Sequence, residues 1–291
     1  ELLGAKPVIV DVEKDSLLLS FEEIKKKINK RTKVIFPVHL YGNMFDTRKL
    51  KNFINKKRYN IKILEDSAHA IESTFDGHKS GKWSKAAIFS FYATKNISCG
   101  EGGAVITNDD ELAKKIRRLK NFGLTQTALE KYKSKKYFEV EMYEPGIKAN
   151  LSDLLSFLIL PQIKNINKNY ILRKKIFERY IKLLKNIDVQ LPQIHNKCKS
   201  SYHIFVIGVE SNKRDRIIKF LKKKNIGCSI HYKPLHKMFF YKKKYNLIKN
   251  NFKISDNWGK SCITLPFHLK LTEKEQIHVV EILKTAILKI K

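Results

Sequence analysis

"AAIFSFYATKNISCGEGGAVIT", Ala86 to Thr107, reads as an apolar strand, a turn that carries a single lysine, and a glycine-flanked second strand. Working backwards from it, "IKILED", "KVIFPVHL" and "PVIVDV" are further β-rich runs, separated by helical patterns over Ser20–Asn29 and Thr47–Tyr59. Forwards, a helix is predicted from Asp110 to Asn121, stopped by Gly123. Strands alternating with helices imply a mostly parallel sheet covered on both faces, an α/β fold. In such sheets ligands sit beyond the carboxyl ends of the strands, which is where Lys95 falls. The pattern fails between Leu124 and Asn150, which reads as a long loop, and such loops are commonly lids or binding segments. A helix near Ser152 then presents Leu155, Leu158 and Ile159 on one face. The strand "SYHIFVIGV", a helix over Arg214–Lys224, the strand "GCSIHY" and a closing helix from Thr272 describe a smaller α/β unit. The expected division is residues 1–150 as a large domain and 151–291 as a small C-terminal domain with a linking helix.

The chain of 291 residues is 43% hydrophobic and 11% aromatic, enough for a substantial core. Its 59 Lys and Arg against 28 Asp and Glu give a formal net charge of +31. That charge is spread through nearly every helix beside Asn and Ile, as in "KKKINKRTK" and "IKNINKNY", which is a compositional bias and not a concentrated nucleic-acid face. No specific nucleic-acid partner is expected. Cys99, Cys198, Cys228 and Cys262 lie far apart with no CxxC pair, so reduced thiols of a cytoplasmic protein are expected, with no disulfide frame and no metal site. The longest apolar run, Leu154 to Leu160, is too short for membrane insertion.

A free lysine has a pKa of about 10.4, so only about one in a thousand is neutral near neutral pH. An amine nucleophile at Lys95 therefore needs desolvation or a carbonyl cofactor that captures it as an imine. In "ILEDSAHA", Asp66 ends a hydrophobic strand at the same sheet edge. There it could pair with a protonated pyridine ring, or cap the segment that follows. Ser90, five residues before Lys95, could donate to a phosphate or serve as a buried structural serine. Taken together, a phosphate donor, an imine-forming lysine and a carboxylate for a ring nitrogen describe a pyridoxal 5'-phosphate site.

The chain resembles the DegT/DnrJ/StrS family of pyridoxal-phosphate-dependent nucleotide-sugar aminotransferases. The stretches that carry the likeness are "GAKPVIVDVE", "RTKVIFPVHLYGN", "ILEDSAHAIES", "IFSFYATKNISCGEGGAVITND", "RRLKNFG", "NLSDLLSFLILPQI", "SYHIFVI", "IGCSIHYKPLH" and "ITLPFHLKLTEKEQ". The branch it is most similar to is the UDP-4-amino-4-deoxy-L-arabinose-oxoglutarate aminotransferase kind. The resemblance implies the fold-type I transferase architecture and makes Lys95 the imine-forming lysine and proton shuttle. It implies that Asp66 binds the pyridine nitrogen, Ala68 lies under the ring, His69 reaches the phenolic oxygen and Ser90 holds the phosphate. Asn150, in "GIKAN", would contact the phosphate of a neighbouring subunit's cofactor, implying a homodimer with shared active sites. His231, His203 and His39 stand where the family approaches substrate. Some relatives are sugar dehydrases with a histidine in place of the lysine, so Lys95 argues for transamination.

The implied reaction moves an amino group from glutamate, or glutamine, to a keto carbon of a nucleotide-linked sugar, a UDP-4-keto sugar, for surface polysaccharide or lipopolysaccharide. Relatives begin many tens of residues earlier than Glu1. The chain is therefore expected to lack a phosphate-cradling helix N-terminus and an aromatic that stacks on the cofactor, with poor cofactor affinity as a result. Ile147 and Ala149 replace aromatics of the family's motif. A catalytically impaired fragment, or a regulatory or binding protein on the same fold, is the alternative.

Overall fold

The computed structural model describes residues 1–124, 141–245, 247 and 252–290. Most of the expected long loop, residues 125–140, lies outside them. Helix α1 (Phe21–Lys27) starts at Ser20, whose side chain accepts from the Glu23 N–H, with acidic residues in the first turn and lysines in the last. That arrangement suits the helix dipole. Strand β1 (Val34–Ile35) is followed by α2 (Thr47–Lys56), capped by Asp46. Then come β2 (Lys62–Asp66), β3 (Thr74–Phe75), β4 (Ala86–Ser90), β5 (Gly103–Ile106) and α3 (Asp110–Leu119).

These elements build a four-stranded sheet in the order β1-β2-β4-β5, parallel except for the last pair. Leu64, Glu65 and Asp66 of β2 lie opposite Ala86, Ala87 and Ile88 of β4, so Asp66 and Ser90 end neighbouring strands at one edge. Beneath the sheet, Leu50 and Ile54 of α2 pack with Ile24, Ile35 and Ile63.

The run from Lys33 to Leu40 is a shorter strand than its β-rich composition suggests. Pro37 has no N–H to give the ladder, and only its carbonyl serves, accepting from the Asp66 N–H at 2.9 Å. The chain then turns through Tyr41 and Gly42, with φ of 59° and 93°. "PVIVDV" does not join the sheet. Its one ladder contact is the bridge from Val12 to Leu19, because no described strand lies beside it.

The second half begins with α4 (Asp153–Lys164) and α5 (Ile166–Leu183). It continues through β6 (Cys198–Lys199), β7 (Phe205–Gly208), α6 (Arg214–Lys223), α7 (Phe239–Tyr245), α8 (Lys253–Ser261), β8 (Cys262–Leu265) and α9 (Glu273–Lys289). α9 opens with a full capping box between Thr272 and Glu275. The antiparallel β7–β8 pair is sandwiched by α5, α6 and α9 around Tyr180, Phe205, Ile217, Leu221, Ile263 and Leu283. A third cluster, Leu17, Tyr41, Val206, Trp258 and Cys262, ties the two halves together. "GCSIHY" contributes one bridge, Ser229 to Thr264, before His231 and Tyr232 leave the ladder for the cleft.

On α4 only Ile159 is buried, with Leu155 beside it against Ile97 and Cys99. Leu154, Phe157, Leu158 and Leu160 are exposed. The expected single apolar face is therefore half covered, and Leu158 lies on the open side. No described helix is long and apolar enough to cross a membrane.

Candidate active site

Three polar groups converge at the carboxyl ends of β2 and β4 with valences that the protein leaves free. Asp66 sits half-buried. Its Oδ1 accepts from the Ala68 N–H at 3.0 Å, the capping role the sequence allowed, while Oδ2 has no partner among the described residues. Ser90 Oγ accepts from the Tyr92 N–H at 3.3 Å, which leaves its hydroxyl proton to donate. Lys95, held in a turn by its N–H on the Tyr92 carbonyl, makes no side-chain hydrogen bond or ion pair among the described residues. Burial pushes the Lys95 amine below the usual lysine range, and the nearby Asp66 carboxylate acts against that shift. Lysine and carboxylate thus lie on one side of the sheet within electrostatic reach.

The turn after Lys95 is built by glycines with different tasks. Gly100 takes a φ of +89°, whereas Gly103 is needed for closeness: a Cβ there would meet the Phe89 carbonyl at 2.8 Å across the β4–β5 pair.

Three histidines line the cleft. His69 is buried, and its Nδ1 accepts from the Tyr41 N–H at 3.3 Å, so the neutral ring carries its proton on Nε2, 3.3 Å from the Tyr232 hydroxyl. Its ring lies 4.2 Å from that of His203. Burial, reinforced by Lys95 and His231, lowers the His69 pKa to about 3. Burial and His69 lower that of His203 to about 2, so both rings are neutral at physiological pH. His231 is also shifted down by burial, and its Nδ1 is 2.7 Å from Thr264 Oγ1.

His39 is not brought to the cleft. Its side chain is 0% exposed; Nδ1 accepts from the Phe45 N–H at 3.1 Å, and Nε2 lies 3.7 Å from Glu65. The strand-end position that singled it out belongs to its backbone, whose N–H donates to the Asp66 carbonyl. Asn150 is exposed, and its amide donates to Asn121 Oδ1 at 3.2 Å, away from the three groups above. Ile147, in the same motif, is also exposed.

Sequence reasoning missed the scaffold behind the site. Glu72 and Arg173, only 6% and 4% exposed, form an ion pair. Asn96, the residue after Lys95, donates from Nδ2 to Glu72 Oε2 at 2.9 Å and to the Ser201 carbonyl at 3.1 Å. Tyr41 joins both halves: its hydroxyl donates to the His231 carbonyl and accepts from Trp258 Nε1. The only hint in the sequence is that Glu72, Asn96 and Tyr41 sit within the motifs already singled out.

A free carboxylate oxygen, a hydroxyl donor and a half-buried amine of lowered basicity, spaced along one sheet edge, match the ring nitrogen, phosphate and aldehyde of pyridoxal phosphate. Among the described residues there is no group of His, Cys, Asp and Glu that could hold a metal ion.

The model of the DegT/DnrJ/EryC1/StrS aminotransferase family matches residues 1–284. Spr1654 of Streptococcus pneumoniae, a candidate sugar aminotransferase solved in its PMP-form, superposes with a TM-score of 0.92 at 30% identity, covering 100% of this chain and 78% of that one. Helicobacter pylori PseC, an aminotransferase involved in the biosynthesis of pseudoaminic acid, gives a TM-score of 0.89 at 26% identity over 98% of this chain and 74% of that one. The spore coat polysaccharide biosynthesis protein SpsC of Bacillus subtilis is 32% identical over 284 residues, 96% of this chain and 72% of that protein.

Proposed function

The chain belongs to the DegT/DnrJ/EryC1/StrS aminotransferase family, and from that premise we propose that it moves an amino group from glutamate, or glutamine, to the keto carbon of a nucleotide-linked sugar. The family's fold is that of the fold-type I pyridoxal-phosphate-dependent transferases, and pyridoxal phosphate is its cofactor. The observation that carries the reading is that the Lys95 amine and the Asp66 carboxylate lie within electrostatic reach, each with an unsatisfied valence among the described residues. A UDP-linked 4-keto sugar serving surface polysaccharide is the substrate class we favour. The name of SpsC supports the polysaccharide role, and the cytoplasm is where nucleotide sugars would be met.

Bound pyridoxal phosphate supplies an aldehyde that captures amines and a cationic ring that accepts the electron pair left when a carbon loses its proton. The chain's own residues do the rest. The free Oδ2 of Asp66 would hold the protonated ring nitrogen, with the Ala68 N–H fixing the carboxylate's orientation, and Ala68 would lie under the ring. Ser90 would donate its hydroxyl to the phosphate. His69, with its proton held on Nε2, would reach toward the phenolic oxygen. Lys95 would be the amine that captures the aldehyde and, once released, the group that accepts and returns a proton, its lowered basicity favouring the free-base form that this needs. His203, whose ring lies beside that of His69, and His231 would meet the sugar.

Residues 1–150 act in this reading as the cofactor-binding domain and 151–291 as the small domain. A second copy completes the site. The exposed Leu154, Phe157 and Leu160 on α4 offer an apolar face for dimerisation, and Asn150, exposed near it, would reach the partner's phosphate. After incubation with pyridoxal phosphate and removal of unbound cofactor, the wild type should retain an imine absorption band near the visible edge that Lys95→Ala lacks. A band unchanged in that variant would remove Lys95 from the role.

A further inference from the structure

We propose that Asn96 is a positioning residue that fixes His203 as its Nδ1–H tautomer, so that His203 Nε2 meets the substrate as an unprotonated acceptor. The orientation of the Asn96 amide is set by chemistry. Its Nδ2 lies 2.9 Å from Glu72 Oε2 and 3.1 Å from the Ser201 carbonyl, and both partners can only accept. Turning the amide over would place its oxygen against two acceptors. Oδ1 therefore faces His203 Nδ1, at 3.1 Å, and that nitrogen must carry the proton.

The clamp is rigid because Arg173, paired with Glu72, also donates from Nε to the Ser201 carbonyl at 3.3 Å. One carboxylate, one guanidinium and one backbone carbonyl thus aim a single amide. His203 Nε2 has no partner among the described residues and is not sealed from solvent. Beside it His69 presents Nε2–H, because its Nδ1 is occupied by the Tyr41 N–H. The two neutral rings, 4.2 Å apart and tilted by 34°, therefore show opposite polarity, His69 donating to the Tyr232 hydroxyl and His203 left to accept. An acceptor there suits a hydroxyl or amine of an incoming sugar, and the sequence places Asn96 directly after Lys95, so the residue next to the amine also sets the tautomer of His203.

The last step rests on the aminotransferase reading; the tautomer itself does not. The experiment is long-range nitrogen–proton NMR on protein labelled with 15N-histidine, with His203 assigned by its loss in His203→Gln. The wild type should show Nδ1–H favoured by about tenfold, the factor that one net hydrogen bond supplies. Asn96→Ala, which removes the acceptor, should lose the preference.

A wild type in which His203 carries its proton on Nε2 overturns the proposal without any variant, as does an Asn96→Ala protein that folds and still shows Nδ1–H. Pyridoxal phosphate titration of the same samples separates the two claims. A wild type with the Nδ1–H tautomer that retains no Lys95-dependent band withdraws the cofactor role proposed for this chain's cleft and leaves the clamp standing.

Discussion

Replacing Arg173 with methionine should destabilise the protein by about 3–5 kcal/mol, whereas replacing Glu72 and Arg173 together should be close to neutral. The two side chains are 6% and 4% exposed, so each has given up nearly all its water. In Arg173→Met the Glu72 carboxylate stays buried with the Asn96 amide as its remaining donor, at 2.9 Å. One neutral donor does not replace a guanidinium, and the uncompensated charge carries the cost. The Ser201 carbonyl, which loses Arg173 Nε, still receives Asn96 Nδ2, so little is lost there.

In Glu72→Met/Arg173→Met the buried charges are gone, and what is left is the fit of two flexible apolar chains, worth about 1–2 kcal/mol either way. Urea unfolding at neutral pH of the wild type, both single variants and the double variant forms a complete cycle, with the denaturant slopes checked for constancy. A coupling energy of several kcal/mol is expected. A single variant that costs under about 1 kcal/mol, or a double variant that costs the sum of the singles, would refute the reasoning.

Stability should fall between about pH 6.5 and pH 3 because His69 and His203 are held neutral in the folded chain. The unfolded chain protonates them from about pH 6.5 downward, whereas the folded His69 waits until about pH 3. In that window the unfolded state binds more protons, so stability drops as pH falls, by up to about 1.4 kcal/mol per pH unit for each ring. His69→Gln and His203→Gln should each flatten the pH dependence of the urea midpoint between pH 7 and pH 5. Gly123→Ala should destabilise strongly and release the 141–150 segment, since the new Cβ would lie 1.6 Å from the Glu144 carbonyl oxygen at a φ of +76°. Limited proteolysis of that segment reads the effect, and an unchanged cleavage rate would contradict it. Phe157→Asp on the exposed face of α4 should shift the sedimentation of a dimer toward monomer at micromolar concentration; unchanged sedimentation would remove that face from the interface.

Much of the cofactor cleft was legible because its signals are local. β2, β4 and β5 announce themselves as short apolar runs, and the residues that end them, Asp66 and Ser90, are read directly off those runs. The helix starts were legible to within a residue: predicted at Ser20, Asp110 and Thr272, they are capped by the side chains of Ser20, Asp109 and Thr272.

What escaped depends on contacts between distant positions. Glu72 and Arg173 are separated by 101 positions, and nothing in either neighbourhood marks a buried pair. His39 has the same strand-end address as Asp66, yet its ring turns inward to Phe45 and Glu65, a choice of rotamer that a sequence does not display. "PVIVDV" has the composition of a strand, but a strand also needs a neighbour to pair with. α4 carried too many apolar residues for one face, and the surplus lies exposed.

The central claim is that one amine among the chain's many lysines condenses with the cofactor aldehyde. Borohydride reduction of protein incubated with stoichiometric pyridoxal phosphate, followed by peptide mapping, tests it most directly. The label should fall on the peptide bearing Lys95, and Asp66→Ala should lower its yield. Label spread evenly over surface lysines, or found in equal amount in Lys95→Ala, would contradict the account.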